Sequence, residues 1–126
     1  LNIDNSDTST QYDAASDGVL LLRYLFGLRG DALTVGALGS GATRDAAQVT
    51  SHLSAFIPAN QAQSPFDVDG DGIVSPLTDG IMILRRLLNP SALVSDAAAM
   101  SAITANAKRG TRTDAQIVAA IDALKP

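Results

Sequence analysis

The chain is written twice, and that duplication constrains its fold more than any other feature. Setting Asp17 on Asp79 places "DGVLLLRYLF" over "DGIMILRRLL", with Asp, Gly, Leu, Arg and Leu identical and the other positions mostly apolar in both. Further along, "TRDAAQVTSHLSAFIP" (43–58) lies over "TRTDAQIVAAIDALKP" (111–126) without a gap. Upstream, Leu1-Asn2-Ile3-Asp4 matches Phe66-Asp67-Val68-Asp69. The copies run over 1–58 and 66–126, joined by a polar linker at 59–65, and together they are read as one domain, 1–126.

Each copy reads as acidic loop, helix, connection, helix. The first helix is expected from near Asp17 or Asp79 to Phe26 or Leu88, stopped by Gly27 in one copy and by Asn89-Pro90 in the other. Val19, Leu22 and Phe26, with Leu21 and Leu25, surround that helix, which should therefore be largely buried. The second helix, about 43–57 or 112–125, is amphipathic: Val49, Leu53 and Phe56 repeat at i, i+4, i+7, as do Ile117, Ile121 and Leu124. The Ala-rich stretch 94–110 adds a short helix in the second copy. Apolar content is 46%, carried mainly by Ala and Leu with few aromatic residues, and strand signals are almost absent. The expected class is all-α, with two tandem pseudo-twofold repeats.

All 13 acidic residues are aspartate, and eight of them fall within 4–17 and 67–79. Aspartate favours turns, caps and oxygen-donor metal loops, whereas glutamate is the common acid of helix surfaces. In "DVDGDGIVSPLTD" (67–79), Asp67, Asp69 and Asp71 alternate with residues that point away, so three carboxylates converge on one centre. Gly72 permits the sharp turn, and the carbonyl of Ile73, then Ser75 directly or through water, and finally Asp79 complete an oxygen cage. That donor set suits calcium, and no nitrogen or sulfur ligand is nearby to suit zinc or copper. In an EF-hand the last ligand is the twelfth loop residue; here the twelfth is Thr78 and the acid is Asp79, the thirteenth. Asp79 is the preferred closing ligand, its shorter arm compensated by the added residue.

The first copy carries an insertion of about three residues among "NSDTST". Counting back from Asp17, Asp13 stands opposite Ser75 and Gln11 opposite Ile73, with Asp4 and Asn2 opposite Asp69 and Asp67. Asp7 or Ser9 fills the place of Asp71. A second calcium is expected here, and because Asn2 would be a ligand the natural domain is expected to begin before Leu1.

A calcium loop followed by "DGVLLLRYLFG", present twice, resembles the duplicated loop–helix repeats of type I dockerins. The segments "LTDGIMILRRLL", "LLLRYLFGLRGDAL" and "ATRDAAQ" are similar to the dockerin-like repeats near the ends of large secreted bacterial proteins. The resemblance implies a secreted, extracellular or cell-surface module without catalytic activity, folding with two calcium ions. It also implies attachment to a protein partner, cohesin-like or the parent polypeptide, on behalf of a surface protein or a secreted enzyme such as a polysaccharide-degrading one. Carried over by position, the docking surface comprises Ala14, Ala15, Arg23 and Tyr24, or Pro76, Leu77, Arg85 and Arg86. Dockerin loops often place hydroxyl residues where this chain has Pro-Leu and Ala-Ala, and each copy here carries an additional helix.

Other functions find little support in the residues. A net charge of −4 argues against a nucleic-acid partner. The run "VLLLRYLF" (19–26) is too short for a membrane span and holds Arg23. There is no cysteine, hence no disulfide or thiolate metal site. His52 is the single histidine and has no adjacent acid, so it reads as a surface or flanking residue. The glycines of "GALGSGA" (36–42) have no lysine after them and no strand before them, and read as a connection. A sensor would expose a Met-rich groove, but only Met82 and Met100 are present.

Overall fold

The structure is a computed structural model that describes residues 1–108 and 110–126. Among these residues it is helical, with no strand. A π-helical turn, Ala14–Gly18, runs directly into α1, Val19–Leu25, and α2, Asp31–Thr34, follows. Next come α3, Ala46–Ser54, and a 3-10 turn at Gln61–Gln63. A second π-helical turn, Pro76–Gly80, leads into α4, Ile81–Leu88; α5, Ala97–Ile103, and α6, Asp114–Asp122, complete the chain. No helix is long and apolar enough to cross a membrane.

Local chemistry explains the ends of these helices. Gly27 adopts φ 88° just beyond α1, where a residue with a Cβ would be strained. α3 begins at a reciprocal cap: the Gln48 amide donates to Asp45 at 2.8 Å, and the Asp45 amide donates to the Gln48 side chain at 3.0 Å. Thr113 and Gln116 cap α6 in the same way. The expected second helices, 43–57 and 112–125, are therefore trimmed at their N-termini by the residues that cap them.

The two loop–helix corners interlock. A Cβ on Gly18 would stand 2.8 Å from the Leu84 side chain, and one on Gly80 would stand 3.0 Å from Leu22. At both glycines a larger residue would require the facing leucine side chain to shift. The single core gathers Ile3, Leu20, Leu21, Tyr24, Leu33, Val49 and Leu53 with Phe66, Val68, Met82, Ile83, Leu87, Ile117, Val118 and Ile121. The inward face of α1 is thus Leu20, Leu21 and Tyr24, whereas Val19 and Leu22 are half-buried and Phe26 is 52% exposed, which corrects the face read from the sequence. Phe56 is likewise only partly covered, and α2 is a helical turn within the stretch whose sequence pattern reads as a connection.

Candidate metal centre

Asp67, Asp69 and Asp71 each offer a carboxylate oxygen, and these atoms lie within 4.8 Å of one another. The backbone enforces this convergence. Between Asp67 and Asp69, Val68 turns inward and is fully buried, so both neighbouring carboxylates face the other side of the chain. Asp67 accepts from the amides of Gly70 and Gly72 at 3.0 and 3.1 Å, which curls the loop around it. Asp69 accepts from the Asp71 amide at 3.1 Å, and Asp71 from the Ile73 amide at 2.8 Å. Gly70 and Gly72 adopt φ 76° and 90°, the left-handed conformations such a curl requires. Asp67 and Asp69 are buried, and Asp71 is the most open of the three.

Asp79 closes the loop from behind. One of its oxygens accepts from the Val68 amide at 2.8 Å and the Asp69 amide at 3.4 Å; the other accepts from the Ser75 amide at 2.9 Å and the Thr78 hydroxyl at 3.1 Å. The turn that carries it is π-wide, with the Gly80 amide reaching the Ser75 carbonyl at 3.1 Å. That i→i+5 spacing holds one residue more than an α turn and accommodates an acid at the thirteenth rather than the twelfth position. Burial pushes the Asp79 carboxyl up to about 6 despite the amides of Ser75, Asp69 and Val68, and the charge of Asp69 adds to the rise.

Among the described residues no cation pairs with any of these four aspartates; the ion pairs join Asp122 to Arg86 and Lys125. Carboxylates about 4 Å apart repel by about 1 kcal/mol in a water-like medium and about 4 kcal/mol at an effective dielectric of 20. The donor set is oxygen only, which fits a hard divalent cation.

The first loop shares the frame but not the convergence. Asp17 accepts from the Ile3 amide at 2.6 Å and the Asp13 amide at 3.3 Å, as Asp79 does from Val68 and Ser75, and burial pushes its carboxyl up to about 6. Asp4 accepts from the amides of Ser6 at 3.1 Å and Gly39 at 2.6 Å, and Asn2 from Ser6 at 2.9 Å. Asp7 turns onto the connection instead, accepting from the Ser40 hydroxyl at 2.9 Å, and Ser9 is exposed. Asp13 caps the following turn through the Ser16 amide at 2.7 Å, and the Gln11 carbonyl accepts from the Asn2 amide at 2.8 Å. Neither Asp7 nor Ser9 thus reproduces the place of Asp71 in this structure.

The docking residues carried over by position divide. Leu77 is 61% exposed and Ala15 is exposed, while Ala14 and Pro76 are half-buried. Arg23 donates to the carbonyls of Leu33 and Val35 at 3.1 and 2.8 Å, and Arg85 to that of Ala105 at 2.8 Å. Tyr24 is buried beneath the Arg29 guanidinium, 3.9 Å from its ring centre. Arg86 is buried against Asp122, so Tyr24 and Arg86 do not belong to an exposed face. His52 packs edge-to-face on Phe56, with ring centres 5.1 Å apart.

Two residues that the sequence reading did not single out complete both loops. Arg112 donates to the carbonyls of Asp67 and Val68 at 2.9 and 2.7 Å, and Arg44 to those of Asn2 and Ile3 at 2.7 and 2.8 Å. Their signal was the shared "TR" at 43–44 and 111–112. In comparison with known proteins, the chain matches no family model, no curated protein and no solved structure.

Proposed function

We propose that the chain is a non-catalytic, calcium-binding module of the dockerin-like kind, built from two pseudo-twofold EF-hand-like repeats, that attaches a secreted bacterial protein to a protein partner. The observation that carries this reading is the convergence of Asp67, Asp69 and Asp71 on one centre, with no cation paired to their carboxylates among the described residues. A bound divalent cation supplies the positive charge that reverses their repulsion. In the second loop the holding residues would be those three, the Ile73 carbonyl, Ser75 and Asp79. In the first they would be Asn2, Asp4, Gln11, Asp13 and Asp17.

The two-repeat reading is supported by aligned boundaries. The turns Ala14–Gly18 and Pro76–Gly80 begin and end at matched residues, and so do Ala46–Ser54 and Asp114–Asp122. Asp17 and Asp79 also accept from matched amides.

Calorimetric titration of the domain with calcium tests the metal. Two binding events are expected, and the absence of any heat from the second loop would overturn the reading. Attachment is tested by pull-down from the source organism's secretome with calcium or with chelator, where a partner retained only with calcium is expected. A second reading, a calcium-stiffened structural module that packs on its own parent polypeptide, draws on Arg23, Arg85 and Arg86, whose donors are committed inside the fold. Co-purification of the parent polypeptide alone would favour it.

A further inference from the structure

We propose that Arg112 is the positioning residue of the second loop and Arg44 that of the first, each holding the loop backbone in its ion-ready form; the proposal rests on the calcium reading above. In both loops one guanidinium nitrogen serves two successive carbonyls, Asp67 and Val68 in one and Asn2 and Ile3 in the other, at 2.7 to 2.9 Å. Bridging two consecutive carbonyls fixes the relative orientation of the two peptide planes that carry them, and charge-assisted bonds of this kind are stronger than neutral ones. In the second loop these planes meet at Val68, which is buried in the core between two of the converging aspartates.

The contact extends beyond those bonds. A Cβ on Gly70 would lie 2.8 Å from Arg112 Nε, so the arginine stem occupies the space that glycine leaves open. The segment bearing Arg112 also sends the Lys108 amide to the Asp69 carboxylate at 2.8 Å. In the first copy the matching segment sends the Gly39 amide to Asp4 at 2.6 Å, and the amides of Thr43 and Arg44 to the Asp4 carbonyl at 3.1 and 3.0 Å. A positive charge beside a cation site opposes binding, so the contribution of these arginines is order, and the two effects have opposite signs on affinity. Partners that orient metal ligands from outside the coordination shell are typically worth 10–100-fold in metal affinity.

Calorimetric titration with calcium chloride of the whole chain, alongside thermal melts of the metal-free protein, separates these effects. Arg112→Met is expected to weaken calcium binding about tenfold or more at the second loop alone, and Arg44→Met at the first alone. An Asp71→Ala background identifies which site remains. Arg112→Lys, which keeps a cationic donor, is expected to recover part of the loss. If the wild-type chain takes up no calcium, the calcium reading falls and this proposal with it. If it does and Arg112→Met binds equally or more tightly, only the positioning role is overturned. Equal weakening of both sites together with a lower metal-free melting temperature would also overturn it, marking a general structural role. Should Arg112→Met fail to fold, Arg112→Lys decides: selective weakening of the second site supports the proposal, and unchanged affinity at both sites sinks it.

Discussion

The Val68 amide donates to the Asp79 carboxylate at 2.8 Å, tying the entrance of the second loop to its exit. Val68 is fully buried in the core, so this bond joins hydrophobic packing directly to the carboxylate that closes the loop. Ile3 and Asp17 repeat the relationship at 2.6 Å. Loop shape and core packing are therefore expected to respond to the same perturbations.

Acidity should stabilise the metal-free protein. Burial raises the carboxyls of Asp17 and Asp79 from 3.8 to about 6, so the fold holds these protons more tightly than the unfolded chain does. Their stabilisation is complete below pH 3.8 and is lost as pH rises through about 6. Melting temperatures of metal-stripped protein from pH 4 to 7 are expected to fall, and saturating calcium is expected to flatten that slope by favouring the ionised forms. A metal-free melting temperature that climbs over this range would contradict the argument.

Calcium removal should be visible at neutral pH. At a free concentration 100 times Kd, one site adds about 2.7 kcal/mol, and each kcal/mol moves the melting point of a domain this size by roughly 4 °C. Chelation is then expected to lower it by about 10 °C per occupied site. Asp71→Ala should remove the second loop's share and leave the first. Identical melting curves with and without chelator would count against ion binding by the fold.

The carboxylate cluster was legible because Asp67, Asp69 and Asp71 lie close in sequence and the glycines between and after them, Gly70 and Gly72, permit the curl that brings them together. The face of α1 was not. From Val19 to Phe26 every side of the helix carries an apolar residue except at Arg23, so hydropathy offers no contrast with which to choose Leu20, Leu21 and Tyr24. Arg112 reaches Asp67 across 45 residues and Arg44 reaches Asn2 across 42, separations at which sequence pattern carries no pairing information. Asp7, one of two residues the sequence offers for the place of Asp71, meets Ser40 instead, 33 residues away in a glycine-rich connection, a pairing equally invisible to local pattern.

Gly70 and Gly72 should respond differently to alanine. Both hold positive φ, 76° and 90°, where an L side chain costs about 1–2 kcal/mol. At Gly72 the new Cβ meets only Ala62 at 3.8 Å, whereas at Gly70 it meets Arg112 Nε at 2.8 Å. Gly72→Ala is expected to cost only the backbone term. Gly70→Ala should cost more, because the arginine must also move off the Asp67 and Val68 carbonyls. Chemical denaturation of both variants would show the difference, and equal losses would mean that Arg112 yields freely.

Arg86 occupies the position aligned with Tyr24 and is buried as Tyr24 is, which is unusual for a charge and demands a partner. Asp122 provides it through two parallel bonds of 2.9 Å, while the remaining guanidinium nitrogen donates to Asn89 and Ala92 at 3.1 and 3.0 Å. The pair pins α4 to the end of α6. Breaking a fully buried pair costs about 3–5 kcal/mol, and the partial exposure of Asp122 reduces this to about 2–3 kcal/mol for Arg86→Met. Arg86→Lys should recover little, since an ammonium cannot match the two-point geometry. Replacing both partners, Arg86→Met with Asp122→Leu, should restore part of the loss by leaving no uncompensated charge. Urea titration of the three variants measures each term, and a loss below about 0.5 kcal/mol for Arg86→Met, in the range of an ordinary surface change, would show that the pair does not hold the helices together.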